Sequence, residues 1–400
     1  MLRWLSEEGF QVKLIRAGLS DRREKAKFGE IITIRDPLKM HADVSGDGDT
    51  GMKVVQMSRK PNALRRWLSY VLLIPDPGIV WARRAMRHPL VLNACTGATW
   101  FLASSPPESV LIAASQLASR FGGRFVMDMR DGWLDEPIKP LLRTSALQRW
   151  REERLERKMI RNAHSVLVTS NHWKSRLSAR YPHAAVKTAV LTNAYPRKTS
   201  AFTDNENKSA PESHPGVKRI RFLYAGRIFS SGPGRRIAYL LDPMLTFART
   251  HTQIAEIIFL GDLIPEEEEA LKRWNKRFNA VKWEITRIPG KPHNVAVTLM
   301  QEVDVLLLLS ASNSAIPAKF FDYVSSEKPI FAAAPAGSSV ASYGNEIKQF
   351  YGYAFEQPDT AHEVFRQLMN DVLSKSVTVT RPEKFEETYL KPKFLSLFQI

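Results

Sequence analysis

The chain has 400 residues, 44% of them hydrophobic and 25% charged, which excludes a disordered polymer and suits two domains, not a single core. Lys and Arg outnumber Asp and Glu by 58 to 41, a formal charge of +17 that draws the protein toward phosphates, nucleic acid or anionic lipid, unless the cations merely solubilise it. The single cysteine, Cys95, excludes an internal disulfide or a cysteine zinc site and fits a reducing cytoplasm, and no apolar run reaches the 18 residues of a spanning helix.

In chain order, MLRWLSEEGFQVKLI carries charges throughout and no uninterrupted apolar core, which argues against a secretory signal. QVKLIRAG reads as a strand. NALRRWLSYVLLIPDPGIVWARRAMRHP mixes cations with Trp67, Tyr70, Leu72, Leu73 and Trp81, and two readings stand: a surface lying on anionic lipid, or a buried helical hairpin with its arginines outward. Then follow PESVLIAASQLASR as helix, RFVMDMRD as strand, SALQRWREERLERKMIRNA as helix, and HSVLVTS and KTAVLTNAY as strands. A Ser-, Pro- and Asn-rich tract over 199–218 has little to bury and predicts an interdomain linker.

Beyond it, RIRFLYAGRI, AEIIFLG, VKWEITRI, DVLLLL and PIFAAAP read as strands, separated by helical AYLLDPMLTFARTH, EEEEALKRWNKRF, NVAVTLMQEV and AKFFDYVSSEK. This alternation predicts an α/β chain of parallel sheets covered on both faces. The expected domains are 1–198 and 219–376, with 377–400 a helix packing back on the first. His41, His88, His164, His172 and His183 are scattered without metal-ligand spacing, so no metal is expected.

The richest stretch is SASNSAIPAKFFDYVSSEKPIFAA, between two apolar strands. Pro317 suits the first position of a helix whose free N–H groups and positive dipole end invite a diphosphate. Lys319 adds a cation in the first turn, and Asp322 is placed to accept from a ribose diol.

Pro317, Lys319, Asp322, Tyr323, Lys328, Pro329 and Ile330 resemble the P-x-K-x-x-E-Y-x-x-x-x-K-P-I signature of retaining glycosyltransferases of family-4 type. The resemblance implies the GT-B fold, two Rossmann-like doubly wound domains facing a central cleft. It departs at Asp322, which replaces a glutamate, and at Ser314, where the family often has another. FLYAGRIFSSGPGRR is similar to the family's first C-domain strand and basic loop, with Gly226 and Arg227 directed at the donor diphosphate. Gly232 stands where a lysine is common, and Arg235 and Arg236 can substitute for it. Ile288, Pro289 and Gly290 would contact the base, and Ile316 the donor.

The first half is similar to bacterial polysaccharide glycosyltransferases with S-P-P, D-x-R-D-x-W and T-N-G patterns: Ser105, Pro106, Pro107, Asp128, Arg130, Asp131, Trp133, Thr192 and Asn193 match, while Ala194 replaces a glycine. The resemblance places Ser105, Arg130 and Asp131 on the acceptor side. An ion pair between Arg130 and Asp131 is the plainer reading. RWLSEEGFQV matches the end of the family's first helix, so the first strand and its glycine loop are expected to be missing.

The implied activity is a hexosyltransferase moving sugar from a nucleotide-sugar donor to a glycan or polyprenyl-linked acceptor in surface polysaccharide synthesis, with retention. Asp131, Arg227 and Lys319 are the implied catalytic set, with no cofactor. The implied place is the cytoplasm, peripherally on the inner face of the membrane. The alternative is a catalytically impaired scaffold or binding subunit. A sugar-nucleotide epimerase lacks its carboxylates and histidines here, and a nucleic-acid binder lacks a focused basic stripe.

Overall fold

A computed structural model describes residues 1–39, 73–135, 145–195, 219–228 and 237–398. The chain forms two compact units, Met1–Thr192 with Lys391–Ile400, and Asn193–Leu390. The expected linker, Trp67, Tyr70, Leu72, Gly232, Arg235 and Arg236 lie outside the described residues.

The first unit opens with α1 (Leu2–Glu7), β1 (Val12–Gly18), β2 (Arg22–Ala26) and β3 (Gly29–Arg35). β3 lies between the other two, parallel to β1 and antiparallel to β2. The β2–β3 hairpin escapes the sequence reading because charge obscures its period of two. Arg23 pairs with Glu30 across the hairpin, and Arg16 meets Glu24 at 2.8 Å.

Helices α2 (Ile79–Ala85) and α3 (Pro89–Cys95) lead into a parallel sheet, β4 (Trp100–Ser105), β5 (Arg124–Met129), β6 (Ser165–Val168) and β7 (Thr188–Val190), in that spatial order. Between its strands run α4 (Ser109–Phe121), α5 (Ala146–Asn162) and α6 (Asn171–Arg180). Ser145 and Ser170 cap α5 and α6, each oxygen accepting from the backbone N–H three residues on, and Gly122 ends α4 in the left-handed conformation at φ 71°. Among the described residues the two sheets of this unit stay separate, β1 pairing with β3 and β4 with β5.

The second unit alternates β8 (Ile220–Ala225), α7 (Ala238–Thr250), β9 (Ala255–Leu260), α8 (Pro265–Asn279), β10 (Trp283–Ile288), α9 (His293–Glu302), β11 (Val305–Leu309), α10 (Ala318–Ser326), β12 (Ile330–Ala334), α11 (Ser339–Gly344), β13 (Phe350–Ala354) and α12 (Asp359–Leu373). All six strands are parallel, in the order β10-β9-β8-β11-β12-β13. Taken from the unit's first strand, this is the doubly wound order 3-2-1-4-5-6.

The run VLLLL of β11 explains the two layers of helices. Its residues are all fully buried, yet alternation sends Val305, Leu307 and Leu309 into a core with Leu240, Phe278 and Phe365. Leu306 and Leu308 enter a second core with Met300, Phe320 and Val340. A strand apolar at every position is thus the sequence signature of a sheet covered on both faces.

The C-terminal stretch corrects the expectation of one helix over 377–400. A 3-10 turn at Glu383–Phe385 precedes α13 (Glu387–Leu395), and another, Ser396–Phe398, follows it. Pro382, which has no N–H to give a helix, stands directly before the first 3-10 turn, whereas Pro392 lies inside α13. Within the first unit, Phe394 packs on Trp4 at 5.7 Å and Phe398 on Trp100 at 5.1 Å between ring centroids.

Candidate functional site

In a doubly wound sheet the connections from the first and fourth strands leave on opposite faces, which opens a crevice at their C-terminal ends. In the second unit those strands are β8 and β11. Gly226 follows β8 at φ 93°, and its N–H donates to the Leu260 carbonyl at 2.7 Å. Gly261, at φ 149°, ends β9 so close by that an added Cβ would come within 3.2 Å of the Gly226 backbone. The glycine pair lets two strand ends meet without side chains. Arg227 is exposed beyond them, its carbonyl accepting from the Tyr224 hydroxyl at 3.1 Å.

Across the crevice, Pro317 is the N-cap of α10, one position earlier than expected, with ψ 138°. Proline has no side-chain acceptor, so no side chain caps this helix. Its first turn and Arg227 thus stand at the ends of the two diverging strands. Before it, the Ser312 hydroxyl accepts from the N–H groups of Ser314 and Ala315 at 3.2 and 2.9 Å, which shapes the loop. Ser314 is buried, and Ile316 packs its side chain into the second core.

Lys319 and Tyr323 occupy one face of α10, four residues apart. The Lys319 ammonium donates to the Ala225 carbonyl at 2.8 Å and lies 3.7 Å from the centre of the Tyr224 ring. The Ala225 N–H donates to the Tyr323 hydroxyl at 2.9 Å. One helix face therefore holds both polar groups of the residue that ends β8, directly before Gly226 and Arg227. An ammonium has three donors, so Lys319 can serve this carbonyl and still face an anion.

Asp322 meets a partner that the sequence reading missed. His293 Nε2, at the start of α9, lies 3.2 Å from both carboxylate oxygens. Burial pushes the Asp322 carboxyl above its ordinary value, and His293 opposes the shift. Pro289 and Gly290 are exposed at the end of β10 while Ile288 packs against the core, and the Gly290 N–H donates to Asp262 at 3.2 Å.

The first unit gathers its polar residues at the C-terminal ends of β4 to β7. Asp128 is completely buried and accepts from the Ser104 hydroxyl at 2.5 Å. Its other oxygen accepts no hydrogen bond and faces the Arg130 guanidinium at 3.5 Å. Desolvation raises the Asp128 carboxyl, and Arg130 opposes it. Arg130 also donates from its side chain to the Leu191 carbonyl at 2.9 Å and from its backbone to Ser105 at 3.1 Å. Arg130 thus pairs with Asp128, not with Asp131 as the plainer sequence reading had it.

Asp131 makes no hydrogen bond among the described residues and lines a small hollow with Met129, Gly132 and Trp173. Desolvation raises its carboxyl, opposed by the Arg130 charge. Trp133 Nε1, Trp173 Nε1 and Thr192 Oγ1 are buried without hydrogen-bond partners among the described residues. No group of three or more His, Cys, Asp or Glu among the described residues is placed to hold a metal ion, and no described helix is long and apolar enough to cross a membrane.

Neither a family model nor a curated protein sequence matches the chain. Solved structures do. Sucrose-phosphate synthase from Thermosynechococcus elongatus superposes with a TM-score of 0.58 at 12% identity, covering 99% of this chain and 90% of that one. The α,α-trehalose-phosphate synthase (UDP-forming) from Burkholderia xenovorans, bound to glucose-6-phosphate, gives 0.58 at 10% identity over 95% of this chain and 89% of its own. Anabaena HepE in complex with UDP gives 0.52 at 12% identity over 81% and 82%. At these identities the likeness is one of fold: the chain has the GT-B type of α/β fold, with two Rossmann-like units.

Proposed function

We propose that the protein is a glycosyltransferase whose second unit binds a nucleotide-sugar donor at the crevice between β8 and β11. The observation that carries the reading is the meeting of Gly226, Arg227 and the first turn of α10 at the switch point of a 3-2-1-4-5-6 sheet. Arg227, Lys319 and the α10 N-terminus form a cationic, N–H-rich end suited to a diphosphate. Arg235 and Arg236, eight and nine residues further along the sequence, add two cations to the same role. Ile288, Pro289 and Gly290 flank the base, and Asp322, with His293, the ribose. UDP is the first nucleotide to try, since HepE is similar in fold and is bound to UDP.

In the first unit, Ser105, Arg130 and Asp131 handle the acceptor, a glycan or polyprenyl-linked glycan of surface polysaccharide. Transfer of a hexose proceeds with retention, the cations stabilising the departing diphosphate while its oxygen activates the acceptor hydroxyl, without a metal or other cofactor. The protein works in the cytoplasm against the inner membrane face, drawn there by its positive charge, and does not engage nucleic acid.

Calorimetric titration with UDP and UDP-glucose tests this. Wild type binds, and Arg227→Ala loses about tenfold or more, the effect of one charged hydrogen bond of about 1.5–3 kcal/mol. Equal affinity for the variant, or no nucleotide bound from a full panel, removes the donor site. A second reading, a nucleotide-binding subunit without transferase activity, is favoured by Ser314, which is buried where the family often has an acid. Tight UDP-sugar binding with neither transfer nor hydrolysis would select it.

A further inference from the structure

Helix α5 is dominated by charge, yet Glu156 on it is only 1% exposed. A buried carboxylate needs donors, and three groups supply them. The Tyr181 hydroxyl donates at 2.8 Å from just beyond α6, and Arg180 at 3.2 Å from the last residue of that helix. The third donor is the Leu134 N–H, at 3.3 Å, in the turn after β5. Burial pushes the Glu156 carboxyl above its ordinary value, and the Arg180 charge, the Tyr181 hydroxyl and the Leu134 N–H oppose the shift.

The next residue of that turn is caught by the same helix. Asp135, its side chain mostly buried, accepts from Arg176 at 2.9 Å and pairs with Arg180. Arg176 and Arg180 stand four residues apart, on one face of α6. Earlier in the turn, Gly132 lies so close to the Trp173 ring that no Cβ would fit, and Trp133 is fully buried. On the other flank, Arg130 is held by Asp128 and by the Leu191 carbonyl. Between these fixed flanks stands Asp131, exposed and without a hydrogen bond among the described residues. Stability alone does not call for such a network, because well-packed apolar side chains in place of a buried ion pair are often as stable or more so. What the charged groups add is direction: a carboxylate accepting from several sides fixes where the turn's backbone lies.

We propose that Glu156 is a positioning residue. Through Leu134 and the Arg180–Asp135 pair it fixes the turn over residues 131–135, and with it the direction of the Asp131 carboxylate at the C-terminal end of β5. That Asp131 then meets an acceptor rests on the glycosyl-transfer reading; the fixing of the turn does not.

The test compares Glu156→Met, Glu156→Gln and Arg180→Met with wild type, all in the whole protein. Asn162→Ala is the control, since it cuts a 3.1 Å tie from α5 to Ser115 on α4 and none to the turn. Native-state hydrogen exchange reads the turn directly. Loss of a charged hydrogen bond should speed exchange of the Leu134 amide in Glu156→Met by about tenfold or more, with β5 and α4 unchanged. Glu156→Gln keeps one carbonyl acceptor and should recover part of the protection. Arg180→Met, which leaves Asp135 with Arg176 alone, should loosen the same turn and serves if Glu156→Met does not fold. Turnover of UDP-glucose, with water or an added glycan taking the sugar, reads the carboxylate. In Glu156→Met kcat should fall by up to about a hundredfold, the effect that a displacement of about 1 Å can have, while KM for UDP-glucose holds and Glu156→Gln lies between. Unchanged exchange over 131–135 in both Met variants would overturn the proposal. So would faster exchange there with kcat at the wild-type level, because the glutamate would then be structural only. If wild type turns over no UDP-glucose, the glycosyl-transfer reading falls, and the exchange result still decides whether Glu156 fixes the turn.

Discussion

Replacing Lys319 by methionine keeps the length and apolar stem of the side chain and removes only its ammonium. Two contacts go with it: the hydrogen bond to the Ala225 carbonyl at 2.8 Å and the position 3.7 Å from the Tyr224 ring centre. A charged hydrogen bond contributes about 1.5–3 kcal/mol and a cation over an aromatic face about 0.5–2 kcal/mol. One ammonium makes both and regains hydration on unfolding, so the sum is an upper bound and about 2 kcal/mol is the expected loss. For a unit of this size that lowers Tm by about 4–8 °C. Tyr323→Phe takes the acceptor from the Ala225 N–H in a fully buried setting and should cost about 1–3 kcal/mol. Because both side chains hold the same residue, the double variant should deviate from additivity by more than about 0.5 kcal/mol. Urea denaturation of all four proteins measures the cycle, with UDP titration beside it. Nucleotide affinity should fall in Tyr323→Phe as well, since Gly226 and Arg227 follow directly from Ala225. Additive effects, each under about 0.5 kcal/mol, would show that the helix face does not set the strand end.

Gly132→Ala should destabilise the first unit by about 1–3 kcal/mol in urea, because its Cβ would lie 1.8 Å from the ring of buried Trp173; a change below about 0.5 kcal/mol would mean that the ring moves aside freely. Asp128→Asn should alter the pH dependence of stability in a defined direction. Burial raises the native carboxyl above its unfolded value of about 3.9, so the native state holds the proton more tightly and wild type loses stability as pH rises from about 4 through the native value. The variant lacks that slope, so its stability relative to wild type should climb across the window. Urea midpoints at about pH 4 and pH 7 give the difference, and a flat or falling one would contradict the sign.

Some of this was legible because the local pattern and the tertiary environment agree. The apolar run Val305–Leu309 could only be a strand covered on both sides, and the glycine and arginine at 226 and 227 mark a strand end facing a crevice. The β2–β3 hairpin was hidden because its cross-strand partners are charged. Ile316 was read as a donor contact from its place in the motif. It lies among apolar neighbours of α10, so the core takes its side chain. His293 carried no local signal: its partner Asp322 stands 29 residues away and meets it only through the packing of α9 on α10.

The D-x-R-D stretch shows how a pattern can be correct and its pairing still be misread. At the end of a strand, side chains two apart share a face and adjacent ones do not. Asp128 and Arg130 therefore meet, and Asp131 is left outside the pair. The spacing held that answer, but adjacency of opposite charges suggested another. The same division runs through the second unit, where Lys319 and Tyr323 hold Ala225 and the exposed Arg227 follows it. In both units the more buried members of a motif hold a strand end, and an exposed member stands beside them. On that logic, changing a holding residue should shift affinity and stability together, whereas changing Arg227 should shift affinity alone. Loss of stability in Arg227→Ala equal to that in Lys319→Met would show that the two do the same job and that the division is wrong.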